Sequence, residues 1–179
     1  IIIMVLLFSM NITLGINANE VSIQENSNIQ DKFSDISARN LVLANSDTGK
    51  IVYERNKDEK IYPASITKLM TAILVVENCN LNDIVTVSEN AVKSVPLGYV
   101  NANLQVGEQL TVEQLLYAML IPSANDAANA LAEHVGGSIE SFSAMMNTRA
   151  RELGCTGTNF TNPSAVTCVG IIITAKINA

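Results

Sequence analysis

The sequence predicts an α/β protein of the α+β type. Two short β-prone runs flank a cluster of turn formers near the start, and several helix-like segments follow with few strand signals between them. Apolar residues make up 48% and charged residues 16% of 179 residues, enough for a real core in one domain or part of a larger one, and unlike a disordered chain.

The elements can be justified in order. Leu41 to Ala44 and Ile51 to Tyr53 are the β-prone runs, and Asn45 to Lys50 between them holds Asn, Ser, Asp, Thr and Gly, so a hairpin is expected. Glu54 to Lys60 reads as a solvated loop. Pro63 stands where a helix can begin, and Ala64 to Val76 reads as that helix. Its apolar residues fall on nearly every face, which predicts burial all round. Ile84 to Val87 is a short strand candidate, and Val95 to Asn103 a loop. Thr111 and Gln114 form a capping-box pattern for a helix to about Leu120. Residues 122–126 interrupt it. Ala127 to Val135 is an Ala-rich helix closed by Gly136 and Gly137, and Ser138 can cap a last helix from Ile139 to Leu153, ended by Gly154.

Charge and cysteine usage exclude several function classes. Eleven Lys and Arg against 17 Asp and Glu give a net charge of −6, with no basic cluster. That argues against nucleic acid as a partner and against an electrostatic anchor on an anionic membrane surface. Three cysteines are too few and too scattered for a disulfide scaffold or a zinc site.

The two ends have their own character. Residues Ile1 to Ile16 are almost all apolar, and the first charge is Glu20. The run is shorter than the roughly 20 residues a spanning helix needs, and it turns polar early. A signal peptide ending near Ala18 is therefore expected, against an uncleaved anchor or a core element. Asn19 to Asp35 reads as a flexible lead-in. An exported protein working in the cell envelope is the expectation. The last residues, from Ser164 to Ala179, carry no helix cap or stop signal, and the chain reads as incomplete at both ends.

One side chain is out of place in this pattern. Between Ile61 and Val76 the sole charge is Lys68. Burial lowers a lysine's pKa, and a neutral amine is a good proton acceptor. Ser65 lies three residues earlier, on the same helical face and in the first turn, where free N–H groups and the helix dipole favour developing negative charge. Hydroxyl, base and donors together are what an activated serine requires. A Ser-x-x-Lys pattern also arises by chance, and a lysine near a helix start can reach water along its own stem. A second candidate pair is Ser123 and Asn125, at the break between two helices. Ser123 could relay a proton and Asn125 bond a peptide, unless Ser123 merely caps the next helix. His134 is expected to be a partly exposed residue near a helix end, since no motif supports a Ser–His–Asp triad around it. Cys79, Cys155 and Cys168 are expected to be unpaired.

Ser-x-x-Lys followed by Ser-x-Asn matches two of the three motifs of serine penicillin-recognising enzymes. The run Tyr62 to Thr71 resembles the nucleophile segment of D-alanyl-D-alanine carboxypeptidases, the low-molecular-mass penicillin-binding proteins of serine peptidase family S11. The hairpin from Asp47 to Asn56, the run Leu115 to Ala128 and Phe160 to Pro163 are similar to theirs as well. The resemblance covers roughly Ser37 to Pro163. It implies a β-lactamase/transpeptidase-like fold, an antiparallel sheet packed with a helical subdomain, here incomplete at the C-terminal end. It implies that Ser65 attacks the bond between the terminal D-alanines of a peptidoglycan stem peptide, with Lys68 as base, Ser123 passing the proton and Asn125 holding the substrate amide. β-Lactams would acylate Ser65 as inhibitors. No metal or organic cofactor is implied, and a position close to the membrane is left open.

The third motif, Lys-Thr-Gly, is absent: Lys176 precedes Ile177 and Asn178, and Lys50 follows Gly49. In the family that strand belongs to the central sheet, binds the terminal carboxylate and supplies part of the oxyanion hole. Without sheet strands the apolar face of the Ile61 to Val76 helix would lie open, and the chain is expected to fold poorly and to be weakly active or inactive. A β-lactamase is disfavoured, because no deacylating Glu can be identified. The competing expectations are a non-catalytic remnant that binds cell-wall peptide or has no function, and a membrane-tethered structural protein.

Overall fold

The computed structural model describes residues 33–166. The signal-peptide reading, most of the lead-in, Cys168 and the chain beyond Val166 lie outside the described residues. Those that are described fall into two compact units, divided between Glu59 and Lys60.

The first unit is the predicted hairpin. Strand β1 (Leu41–Ala44) pairs antiparallel with β2 (Ile51–Arg55), with Leu41 opposite Arg55 and Leu43 opposite Tyr53. The turn is organised by Asn45, whose Oδ1 accepts from the N–H groups of Asp47 and Thr48 and from the Thr48 hydroxyl. Strand β2 runs to Arg55, beyond the expected end at Tyr53, because Glu54 and Arg55 pair with Val42 and Leu41, and this end is anchored by the Arg55 guanidinium. It donates to the carbonyls of Phe33, Ile36 and Ala38 and lies 5.9 Å from the centre of the Tyr53 ring.

The second unit carries the helices. A 3-10 turn at Ala64–Ile66 leads into helix α1 (Thr67–Asn78). Strand β3 (Ile84–Thr86) and the short helix α2 (Glu89–Lys93) come next, the latter capped by Ser88, whose Oγ accepts from Ala91 N–H. Strand β4 (Gln109–Thr111) pairs antiparallel with β3, Val85 facing Leu110. Helix α3 (Val112–Leu120) opens on the expected capping box, with Thr111 and Gln114 bonding reciprocally. Helix α4 (Asn125–Gly136) and helix α5 (Ile139–Glu152), capped by Ser138, complete it.

Helix α4 is the centre of this unit. Its residues from Asn125 to Ala132 are all buried, and the run of alanines lets neighbours approach closely. One core cluster joins Val75, Val85, Val87, Leu115, Met119, Ala127 and Leu131. A second joins Leu74, Ala132, Phe142, Met146 and Phe160. Between α4 and α5 the chain needs glycine for two reasons. A Cβ on Gly136 would stand 2.8 Å from the Phe142 nitrogen, and Gly137 takes the left-handed conformation at φ +76°.

The expectation for α1 is corrected in one respect: the helix is not buried all round. Lys68, Thr71, Leu74 and Val75 are buried, while Leu69, Ile73 and Val76 form an exposed apolar stripe, Leu69 at 58% and Val76 at 56%. All strand pairing among the described residues is antiparallel, in two two-stranded sheets. No helix among them is long and apolar enough to cross a membrane.

Candidate active site

Ser65, Lys68, Ser123 and Asn125, chosen from the sequence, meet in the second unit. Ser65 is exposed in the 3-10 turn that starts α1. Lys68 follows in the first turn of α1 and is only 3% exposed. The hydroxyl of Ser65 lies 3.4 Å from Lys68 Nζ and receives a hydrogen bond of 2.9 Å from the hydroxyl of Ser123.

The surroundings of Lys68 fix the direction of its lone pair. Nζ donates to Asn125 Oδ1 at 2.8 Å and to the Ser164 carbonyl at 3.0 Å. Both partners can only accept. The Asn125 amide cannot be turned over without loss, because its Nδ2 donates to the Val100 carbonyl at 2.8 Å. A neutral amine has two N–H bonds, and these two acceptors use them. Its lone pair is then left for the third neighbour, the hydroxyl of Ser65. Burial pushes the Lys68 ammonium down from its ordinary range to about 8. Among the described residues no carboxylate bonds the nitrogen to offset this, so the neutral form is accessible near physiological pH.

Each member is held by a separate device. Thr71, one turn beyond Lys68 and fully buried, donates to the Pro163 carbonyl at 2.7 Å, tying α1 to the segment that supplies the Ser164 carbonyl. That segment is shaped by Asn162, whose Oδ1 accepts from the Ser164 N–H at 3.2 Å. Ser123 is not the cap of α4. The cap position is Ala124, without a side-chain bond, and Ser123 adopts φ +70°, in the left-handed region. The helix therefore begins at Asn125, two residues earlier than expected. Asp126, buried beside Asn125, accepts from the N–H groups of Ala102 and Leu104 and holds the loop that contains Val100.

The Ser164 carbonyl, the Val100 carbonyl and Asp126 were not singled out in the sequence. Backbone carbonyls leave no side-chain pattern, and Asp126 falls among residues 122–126, which read only as a break between two helices. His134 is exposed, as expected for a residue near a helix end, and takes no part in this cluster. Burial raises the thiols of Cys79 and Cys155 above their ordinary range. One group of His, Cys and acidic side chains among the described residues has its ligand atoms close together: Cys79, Asp83 and His134, outside this site.

The chain is similar to known proteins over most of its length. It is 40% identical over 135 residues to the D-alanyl-D-alanine carboxypeptidase DacF of Bacillus subtilis strain 168, covering 73% of this chain and 34% of that protein. It is 36% identical over 149 residues to DacC of Escherichia coli K12, covering 79% of this chain and 37% of that protein. The crystal structure of the carboxypeptidase DacD from Francisella tularensis matches at a TM-score of 0.71 and 34% identity, over 79% of this chain and 35% of that one. A mutant of the Streptomyces K15 DD-transpeptidase matches at a TM-score of 0.72 and 34% identity, over 78% of this chain and 57% of that one. The chain thus spans little more than a third of the curated relatives' length and has their α+β fold over that part. Residues 24–177 match the D-alanyl-D-alanine carboxypeptidase family model, Peptidase S11, and the chain belongs to that family.

Proposed function

We propose that this chain carries the acylating centre of a serine D-Ala-D-Ala carboxypeptidase. The observation that carries the reading is the buried, partnered Lys68 amine facing the exposed Ser65 hydroxyl, with the Ser123 hydroxyl on the same oxygen. Lys68 Nζ takes the proton of Ser65 as Oγ bonds to the carbonyl carbon between the two terminal D-alanines of a stem peptide. The C–N bond breaks, and the leaving D-alanine amine takes a proton passed from Lys68 through Ser123. Water then cleaves the ester and restores Ser65. Asn125 orients Lys68 through Oδ1, and the second N–H of its Nδ2, beside the one given to the Val100 carbonyl, is what it offers the substrate. A β-lactam follows the first half of this path and stops at the ester. In this reading the protein works outside the cytoplasmic membrane, where the substrate lies.

A second reading is a protein that binds cell-wall peptide without turning it over. One experiment separates the two. Labelling with a fluorescent penicillin, lost in Ser65→Ala, together with D-alanine release from an acyl-D-Ala-D-Ala peptide, supports the enzyme. Peptide binding with neither labelling nor release supports the second reading.

A further inference from the structure

His134 is the chain's single histidine, and the reaction proposed above makes no use of it. It stands in the last turn of α4. Two other side chains with metal-binding atoms converge on it from different elements. Cys79 ends α1, where its N–H bonds to the Val75 carbonyl, and it packs against the larger core cluster. Asp83 precedes β3 in a turn closed by its own N–H to the Asn80 carbonyl, and its Oδ2 accepts from the Asn80 N–H at 2.9 Å. The Asp83 carbonyl also receives the Val112 N–H, so the turn is fixed to the start of α3. The sulfur, a carboxylate oxygen and an imidazole nitrogen all lie within 4.8 Å of one another.

We propose that Cys79, Asp83 and His134 form a binding site for a divalent transition-metal ion of the zinc type. The donor set decides the class of ion. A thiolate and an imidazole suit zinc and its first-row neighbours, whereas calcium and magnesium require oxygen donors throughout. In a tetrahedral zinc site the donor atoms stand about 3.3–3.6 Å apart, from metal bonds of roughly 2.0–2.3 Å. Cys79 and Asp83 sit on anchored backbone, and the exposed imidazole closes the remaining gap by rotation of its side chain. The Cys79 thiol gives its proton to solvent and binds as thiolate, and water takes the fourth position. The bound ion ties the connection between α1 and β3, which holds Cys79 and Asp83, to the end of α4, a segment distant in sequence. The spacing of the cysteines hides this site, because only one of them belongs to it.

The test is titration of the full chain, kept reduced, with Co2+, followed by displacement with Zn2+. The expected result is a single site with a thiolate-to-cobalt charge-transfer band that Zn2+ removes. Cys79→Ser abolishes the band, and Asp83→Asn and His134→Gln each weaken Co2+ binding by about tenfold or more. Cys155→Ser and Ser65→Ala bind Co2+ as the unaltered chain does, so this result is independent of the acylation chemistry. Zn2+ also raises the thermal midpoint of the unaltered chain and not that of His134→Gln. Absence of the band, its survival in Cys79→Ser, or an affinity unmoved in His134→Gln overturns the proposal.

Discussion

Ser123 donates a hydrogen bond of 2.9 Å to the Oγ of Ser65, a residue 58 positions earlier, from a backbone held at φ +70°. A non-glycine residue in that region costs about 1–2 kcal/mol. The strain and the contact belong together, since the left-handed turn directs the hydroxyl at Ser65 instead of at the start of α4.

Two substitutions separate these effects. Ser123→Ala keeps the strain and loses the hydroxyl, while Ser123→Gly loses both. Acylation by a fluorescent penicillin should fall at least tenfold in each. Urea unfolding should find Ser123→Gly as stable as the unaltered chain and more stable than Ser123→Ala, by about 1 kcal/mol. A Ser123→Gly chain that acylates normally would remove Ser123 from the proposed proton path.

The second prediction concerns pH. In the proposed reaction Lys68 must be neutral to accept the Ser65 proton, and its pKa is lowered by burial from 10.5 to about 8. Acylation should therefore rise with pH, about tenfold per unit below 8, and level off above it. Stability follows the same group. Between pH 8 and 10.5 the unfolded chain binds more protons at this lysine than the folded one does, so stability rises with pH there and the penalty is complete below 8. At about 1.4 kcal/mol per unit the whole effect is on the order of 3 kcal/mol. Lys68→Met should abolish acylation and flatten the stability profile in that window. A stopped-flow acylation series and denaturation at several pH values measure both.

Much of this site was legible in the sequence because it is local. Ser65 and Lys68 share a helical face by spacing alone, and Thr111 and Gln114 announce their capping box. The Asn45 to Lys50 cluster marks the hairpin in the same way. What was not legible depends on distant partners. Strand β4 has three residues and exists because it pairs with β3, and its last residue, Thr111, reads alone as the cap of the following helix. Helix α2, with five residues, is too short for a periodic pattern to show. Apolar residues all around α1 could not say which face is covered. The approach of His134 to Cys79 and Asp83 is set by packing, which no spacing rule describes.

Asp126 gives the third prediction. Its buried carboxylate accepts from the N–H groups of Ala102, Leu104 and Ala127. In Asp126→Asn an amide NH2 faces some of those donors, and a charge-assisted network becomes a partly unsatisfied one. The expected loss is about 2–3 kcal/mol of unfolding free energy. The loop it holds supplies the Val100 carbonyl to Asn125, so acylation should slow as well, under conditions where circular dichroism finds the variant folded. An unchanged denaturation midpoint would mean that the loop is held by other contacts.

The last prediction uses the exposed stripe of α1. Leu69, Ile73 and Val76 stand one turn apart, with Leu69 and Val76 more than half exposed, whereas Leu74 on the other face is 4% exposed. Replacing a residue already in water changes stability little, and removing a buried one leaves a cavity. Leu69→Gln and Val76→Gln should therefore each shift unfolding of this chain by no more than about 0.5 kcal/mol, against about 2–5 kcal/mol for Leu74→Ala. A row of three apolar side chains also favours self-association, so the combined Leu69, Ile73 and Val76 to Gln variant should scatter less light on heating. A loss of 2 kcal/mol or more in Leu69→Gln alone would mean that the stripe is covered in solution, either by another part of the polypeptide or by a second copy. Sedimentation of the unaltered chain at several concentrations would tell those two covers apart.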